Sequence, residues 1–405
     1  MAIASLFINK QLSNLHLIPV AFHRRITMKN KIIGLTALVS ALSMDNISYA
    51  DVPNTFASGE PAVASEINEN FSDLDGRITS LENVTGDSST TTINVDCSVD
   101  TVSSALASAP AAGPLLINVT GRCTDTIVIE RSNISIIGTD TGATINYNTA
   151  VNGNAFDDIL SGVINVVGAQ NIVIDNLTLI NYGGGGIGLH AQAGSSVAVN
   201  NSTFENAYDG IVVQHGSNIK LTGSTVHLNT RSGLFISDQS NIQLASGNTI
   251  TQTPHPLPGT NSWGVLVGRN SNMSVSGSGN NITNNTTGGT NTWAIEVFQG
   301  GGFRANSGDL IVNGDASVTS SAHLELRSVA LTGNVMVGSK GTLRLNNNGN
   351  TISLVGDVNI DALGTVLSNG ESTITGDVTC LGDTLSYYQT NPTVSGTIDA
   401  SCTTF

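Results

Sequence analysis

The sequence predicts an all-β solenoid, a coil of short parallel strands, with a short helix ahead of it. Three observations carry that expectation. From about residue 114 one grammar recurs: a short β-branched strand, a Gly or Asn turn, another strand, another turn. Self-similarity of this kind marks a stack of rungs. Only 11% of the 405 residues are charged and 4% aromatic, while 44 are glycine and 9 proline, which sets the chain apart from an ordinary globular enzyme. Finally, 39% of the residues are hydrophobic, mostly small or β-branched, so most of the chain can bury a core rather than stay disordered.

Residues 1–50 read as a leader. Met28 opens a secretory signal: Lys29 and Lys31 are its basic start, Ile32 to Leu42 its apolar centre, and Ser48-Tyr49-Ala50 a small-residue cleavage site. Export to the periplasm, the cell surface or the medium follows, with a mature chain starting at Asp51. Met1 to Thr27 form either a long basic leader or an upstream start. No later apolar stretch approaches the ~20 residues of a membrane span. The formal charge of −15 moves to −19 once the leader's five Lys/Arg and one acid are removed. So few cations leave little with which to grip a phosphate backbone, and nucleic acid is excluded as a partner.

Residues 51–90 form the helical segment. Ile67, Phe71, Leu74, Ile78 and Leu81 alternate spacings of four and three, which lines one apolar seam on a helix. The stretch from Phe56-Ala57-Ser58-Gly59-Glu60-Pro61 to Asn70-Phe71 resembles a leader found ahead of many secreted bacterial proteins. Two heptads are marginal alone. The helix therefore either caps the first rung or joins copies of itself in a short coiled coil, making a homo-oligomer.

The four cysteines, Cys97, Cys123, Cys380 and Cys402, sit two near each end of the body. Three pairings exist, and export makes two disulfides the natural reading. The local pairing, Cys97 to Cys123 and Cys380 to Cys402, would clamp both termini of an elongated body. A four-cysteine metal site competes with it, but no C-x-x-C pair supports that view.

Residues 91–302 carry the long rungs. Gly186-Ile187-Gly188-Leu189, Gly210-Ile211-Val212-Val213, Gly233-Leu234-Phe235-Ile236, Gly264-Val265-Leu266-Val267 and Ala294-Ile295-Glu296-Val297 align with first residues 24, 23, 31 and 30 apart. Strands around Leu179, Phe204, Val226, Ile250 and Ile282 precede them, so each rung holds three strands. Period-two alternation sends Ile211, Val213, Leu234, Ile236, Val265 and Val267 inward and leaves Val212, Phe235, Leu266 and Glu296 on one outer face. These residues resemble the single-stranded right-handed parallel β-helix of the pectate-lyase-like superfamily. That resemblance is specific for architecture and poor for activity.

Residues 303–405 carry shorter rungs, with Gly314, Gly333, Gly356, Gly376 and Gly396 spaced 19, 23, 20 and 20 apart. They resemble the solenoid of secreted adhesins. Their Gly-Asp turns can bind calcium in principle, but the Gly-Gly-x-Gly-x-Asp spacing is missing and ordinary turn chemistry accounts for them. No cofactor and no metal site is expected. Asn181, Asn206 and Asn284 recur at turns where stacked amides can hydrogen-bond.

The resemblance implies that chemistry, if present, sits on an outer face where successive rungs meet a polysaccharide. Five residues after the aligned Gly or Ala come Ala191, His215, Asp238, Arg269 and Gln299. Two before it come Gly184, Tyr208, Arg231, Ser262 and Thr292, and just before it Gly185, Asp209, Ser232, Trp263 and Trp293. His215 and Asp238 could share a proton, and Arg231 or Arg269 could neutralise a uronate. These four are the candidate catalytic residues. The neighbouring elements of polygalacturonases, the calcium cluster and arginine of pectate lyases and the Asp-Pro-His of mannuronan epimerases are all missing. Polar residues at solenoid turns also commonly just face water.

The two tryptophans are better placed for binding. Gly259-Thr260-Asn261-Ser262-Trp263 and Gly289-Thr290-Asn291-Thr292-Trp293 repeat one context a rung apart. Stacked, Trp263 and Trp293 would form a ledge for sugar rings, with Phe235, Tyr208, Asp209 and Glu296 around it. Strict alternation instead gives Trp263 the inward parity of Val265. The loop Thr253 to Gly259 could wall a groove. Three functions follow: a secreted or surface rod that binds polysaccharide; a polysaccharide lyase, hydrolase or epimerase; or a spacer without ligand. The scarcity of charge and of any complete catalytic signature favours the first.

Overall fold

The computed structural model describes residues 65, 67–75, 89–147, 162–181, 186–252, 261–284, 292–306, 310–347, 351–381, 385–388 and 392–402. The leader (1–50), the seam positions Ile78 and Leu81 and the loop Thr253 to Gly259 lie outside them. The chain divides into two compact units, Met1–Asp87 and Ser88–Phe405. In the first, a helix covers residues 67–75, with Phe71 and Leu74 exposed.

The second unit is the expected all-β solenoid. Its strands stack into three parallel sheets, which we call front, flank and back, of 11, 13 and 12 strands among the described residues. One rung runs from the front strand Ile187–Gln192 to the flank strand Ser196–Asn200 and the back strand Thr203–Glu205. Each pairs with its counterpart one rung on, as in Leu189 with Ile211, Val197 with Ile219 and Phe204 with Val226. β-branched side chains suit this pleated, stacked surface. Ile211, Val213, Leu234, Ile236, Val265 and Val267 all point into the core and are completely buried. The same three sheets run on without interruption past residue 302.

Two details of the expected register change. The first rung aligns through Gly188, since Ile187 pairs with Asp209 and Leu189 with Ile211. Ala191, Gly184 and Gly185 therefore give up their columns to Ala193, Gly186 and Ile187. Strict alternation also fails ahead of each front strand. A Cβ placed on Gly210 would lie 2.4 Å from Val226 Cγ1, and one on Gly233 2.6 Å from Ile250 Cγ2, so these positions face the interior. The next residue, Ile211 or Leu234, faces inward too. Two consecutive inward residues make a bulge-like kink, and the residue before the kink turns outward. Trp263, just ahead of Gly264, is on the outside for this reason, not at the inward parity of Val265.

A helix and a disulfide lie near the start of the solenoid and a second disulfide near its end. Thr101 caps a helix over Val102–Ser108 by accepting the Ser104 backbone N–H, and Val102 and Ala105 are buried in the core. Disulfides join Cys97 to Cys123 and Cys380 to Cys402, with Cα atoms 4.6 and 5.2 Å apart. Loops of this length give each a stabilisation of about 3 kcal/mol in the chain-entropy model.

Side-chain ladders lock the rungs together, though not where the asparagines suggest. Between Asn206 and Asn284 the column holds Leu228 and Gln252, which breaks an amide ladder. Serines stack instead: the backbone N–H groups of Ser195, Ser217 and Ser240 donate to the hydroxyls of Ser217, Ser240 and Ser271 at 3.0, 3.2 and 3.1 Å. The short rungs use their Gly-Asp turns in the same way. Asp315, Asn334, Asp357 and Asp377 each accept the backbone N–H of the residue one rung on, at 2.7, 2.9, 2.9 and 2.7 Å. The preceding glycines stack backbone on backbone, and a Cβ on Gly356, at φ 146°, would lie 2.2 Å from the Gly333 carbonyl oxygen.

Candidate functional site

The outer surface of the front sheet gathers the residues singled out from the sequence into three columns. Ile187, Asp209, Ser232, Trp263 and Trp293 form the first, and His190, Val212, Phe235, Leu266 and Glu296 the second. The third is the following turn, Ala193, His215, Asp238, Arg269 and Gln299, all left-handed with φ between 48° and 57°. Backbone hydrogen bonds stack these turns, such as Gly194 N–H to His215 O at 2.9 Å and Gly216 N–H to Asp238 O at 3.0 Å.

An apolar strip runs through the second column. Ile187, Val212, Phe235 and Leu266 form a hydrophobic cluster separate from the core, against which Trp263 and Phe298 pack half-buried. Trp293 pairs in register with Trp263 and is half-buried as well. The Trp263 indole N–H donates to the Glu296 carboxylate. Burial pushes the Glu296 carboxyl above its usual range, more than this hydrogen bond pulls it down.

Beside the strip lies a neutralised charge pair. Asp209, 2% exposed, accepts from Arg231 Nε at 2.8 Å and Nη2 at 2.5 Å, and from the Ser232 hydroxyl. The Arg231 guanidinium also lies 4.9 Å from the Tyr208 ring centre and 5.0 Å from that of Phe235. Its charge is thus matched within the protein, so the uronate-neutralising role falls to a side chain already engaged.

A hydrogen-bonded chain crosses four rungs. His190 Nε2 meets Gln214 Oε1 at 3.2 Å, Gln214 Nε2 donates to the Ser237 hydroxyl at 3.1 Å, and that hydroxyl donates to Asp238 at 3.0 Å. Arg269 closes the chain with an ion pair to Asp238 at 3.4 Å. His215 and Asp238 share the turn column, but no hydrogen bond joins them among the described residues. His190, which the two-residue slip of the first rung conceals, is the buried histidine of the face. Desolvation holds its pKa below the usual value, with His215 adding to that and Gln214 and Asp209 opposing it. Its Nδ1 is buried without a hydrogen-bond partner among the described residues. No group of three or more His, Cys, Asp or Glu side chains that could hold a metal occurs among the described residues.

Two overlapping matches, over residues 78–250 and 132–316, identify a right-handed β-helix region. The chain belongs to the right-handed β-helix family. Among solved structures, that of the Streptococcus pneumoniae surface protein and adhesin PfbA is similar at 10% identity, over 73% of this chain and 94% of that one, with a TM-score of 0.33. Comparison with curated proteins returns no match. No helix among the described residues is long and apolar enough to cross a membrane.

Proposed function

We propose that this protein is an exported rod that binds polysaccharide along the outer face of the front sheet. The observation that carries the reading is the aromatic ledge: Trp263 and Trp293 lie in register, half-buried, and run on into Phe235 and Leu266. Sugar rings offer apolar C–H faces to such a ledge and hydroxyls to the groups beside it. Glu296, Tyr208, His215, Asp238 and Arg269 supply those polar neighbours, while Asp209, proposed from the sequence as a binding residue, is buried and held by Arg231 and Ser232 and so steadies the face from behind. Charges along the face are matched in pairs, Asp209 with Arg231 and Asp238 with Arg269, which favours a rigid recognition surface. Two disulfides and the secretory leader support an oxidising compartment outside the cytoplasm.

A second reading, cleavage or epimerisation of an acidic polysaccharide, is favoured by one observation, the buried Nδ1 of His190, which has no partner among the described residues. One experiment separates the readings. The protein is incubated with acidic and neutral polysaccharides while retention and new reducing or unsaturated ends are followed. Retention without products is expected, weakened about tenfold or more by Trp263→Ala with Trp293→Ala in a protein that remains folded. Products that vanish in His190→Ala or His215→Ala would overturn the binding reading in favour of an enzyme. Retention of no polysaccharide at all would leave the spacer.

A further inference from the structure

A second face carries a separate signal. Outward positions of the flank sheet form one unbroken column from Val173 through Lys220 and Ser274 to Arg304, Glu325 and Arg344. Its first part is a groove of about 520 Å³ floored by Val173 and Ala198 and edged by Asn171, Asn218 and Asn241. Beyond the groove, three guanidinium groups surround one carboxylate. Glu325 meets Arg304 Nε at 3.1 Å, Arg327 Nη2 at 2.8 Å and Arg344 Nε at 3.8 Å. Burial pushes the Glu325 carboxyl up, but hydrogen bonds from Asn346 and Arg327, with the charges of Arg304 and Arg327, hold it below its usual range. It is therefore an anion, and the cluster keeps two surplus positive charges in a chain whose formal charge is −15.

A cluster built only to satisfy Glu325 would need one cation. Arg327 fills that role, with 17% of its side chain exposed and both Nε and Nη2 on the carboxylate. Arg304 and Arg344 are 48% exposed and approach Glu325 through Nε, and their terminal nitrogens make no hydrogen bond among the described residues. Each is an open fork of the kind that binds a carboxylate or sulfate through two parallel bonds.

We infer that the flank face is a second binding tract, for a linear acidic polysaccharide lying along the solenoid axis with its anionic groups on Lys220, Arg304 and Arg344 and its hydroxyls over the amide-edged groove. The spacing selects the ligand class. Lys220 stands three rungs from Arg304, and Arg304 two rungs from Arg344, so at ~4.8 Å per rung the cations are about 14 and 10 Å apart. A glycan with one charge per disaccharide is similarly sparse. Duplex nucleic acid, with a charge every ~1.7 Å, would bring far more phosphates than this acidic rod can neutralise. The inference is independent of the front-face reading, because the two faces share no residue.

The test uses the full chain in affinity electrophoresis through hyaluronate, a polymer with one carboxylate per disaccharide, with neutral dextran and single-stranded DNA as comparators. Retardation by hyaluronate is expected, falling as salt rises and at least tenfold weaker in Arg304→Gln with Arg344→Gln. Because that pair touches a packed ion cluster, Lys220→Gln serves as a second variant. Lys220 is exposed and outside the cluster, and a loss of about threefold is expected at unchanged thermal unfolding. Tryptophan emission should not respond to hyaluronate, since Trp263 and Trp293 lie on the other face. No retardation of the wild type, undiminished retardation in both variants, or DNA held as strongly as hyaluronate would overturn the inference. So would retardation abolished by the tryptophan substitutions. Failure of every glycan to move tryptophan emission would count against the front-face reading alone.

Discussion

The rungs between Gly162 and Gly300 and those between Leu310 and Cys402 share three sheets and one core, yet their outer surfaces have little in common. On the front sheet the outer column reads Val212, Phe235, Leu266 and Glu296 in the long rungs, then Ser317, Met336, Asn359 and Thr379 in the short ones. The long rungs stack serines at their turns and display aromatics and polar groups. The short rungs stack Gly-Asp turns so closely that backbone meets backbone. A solenoid permits this division because each rung contacts only its neighbours, so inward positions answer to the stack while outward positions are available for binding.

The sharpest break in the comparison should come from the tight turns. Gly356→Ala places a methyl 2.2 Å from the Gly333 carbonyl oxygen and is expected to cost about 3 kcal/mol in urea unfolding. Ala193→Gly, at a left-handed turn of the long rungs with no such crowding, should instead be neutral or stabilise by up to about 1 kcal/mol. Equal effects at the two sites would contradict the division into tight and open turns.

A smaller effect belongs to the front face itself. Burial raises the pKa of Glu296, so folding favours its protonated form. Its contribution to stability is full below the ordinary carboxylate pKa and is lost as pH rises through the raised folded value. Glu296→Gln keeps an acceptor for the Trp263 indole and removes the charge. A gain of about 1 kcal/mol is expected near pH ~7 and none near pH ~3, read from thermal unfolding at both. A gain that persists undiminished at low pH would mean that the carboxylate's charge is not what opposes folding there.

Much of the fold was legible in the sequence because a β-helix writes its core as period-two alternation of β-branched residues. The six inward residues from Ile211 to Val267 could be read directly, and of the three cysteine pairings left open the local one is found. The site was less legible for identifiable reasons. Gly186 and Gly188 both satisfy the rung grammar, and an alignment through the first shifts the column by two and conceals His190. The kink at Gly264 adds one inward residue, which no period-two reading anticipates, so the side on which Trp263 lies could not be decided. Thr101 followed by Val102, Ala105 and Leu106 signals a capped helix, but over a single short stretch inside strand-rich sequence. The chain from His190 to Arg269 depends on distances between rungs, which spacing along the chain does not report.

The central claim is that Trp263 and Trp293 form the binding ledge. They are the 2 tryptophans of the whole sequence, so intrinsic indole emission reports on this site and no other. Titrating the protein with a polysaccharide whose retention survives Arg304→Gln with Arg344→Gln should change that emission saturably, at the concentrations that give half-maximal retention. Retention of a polysaccharide with emission unmoved in every case would contradict the account and place the bound glycan elsewhere on the rod.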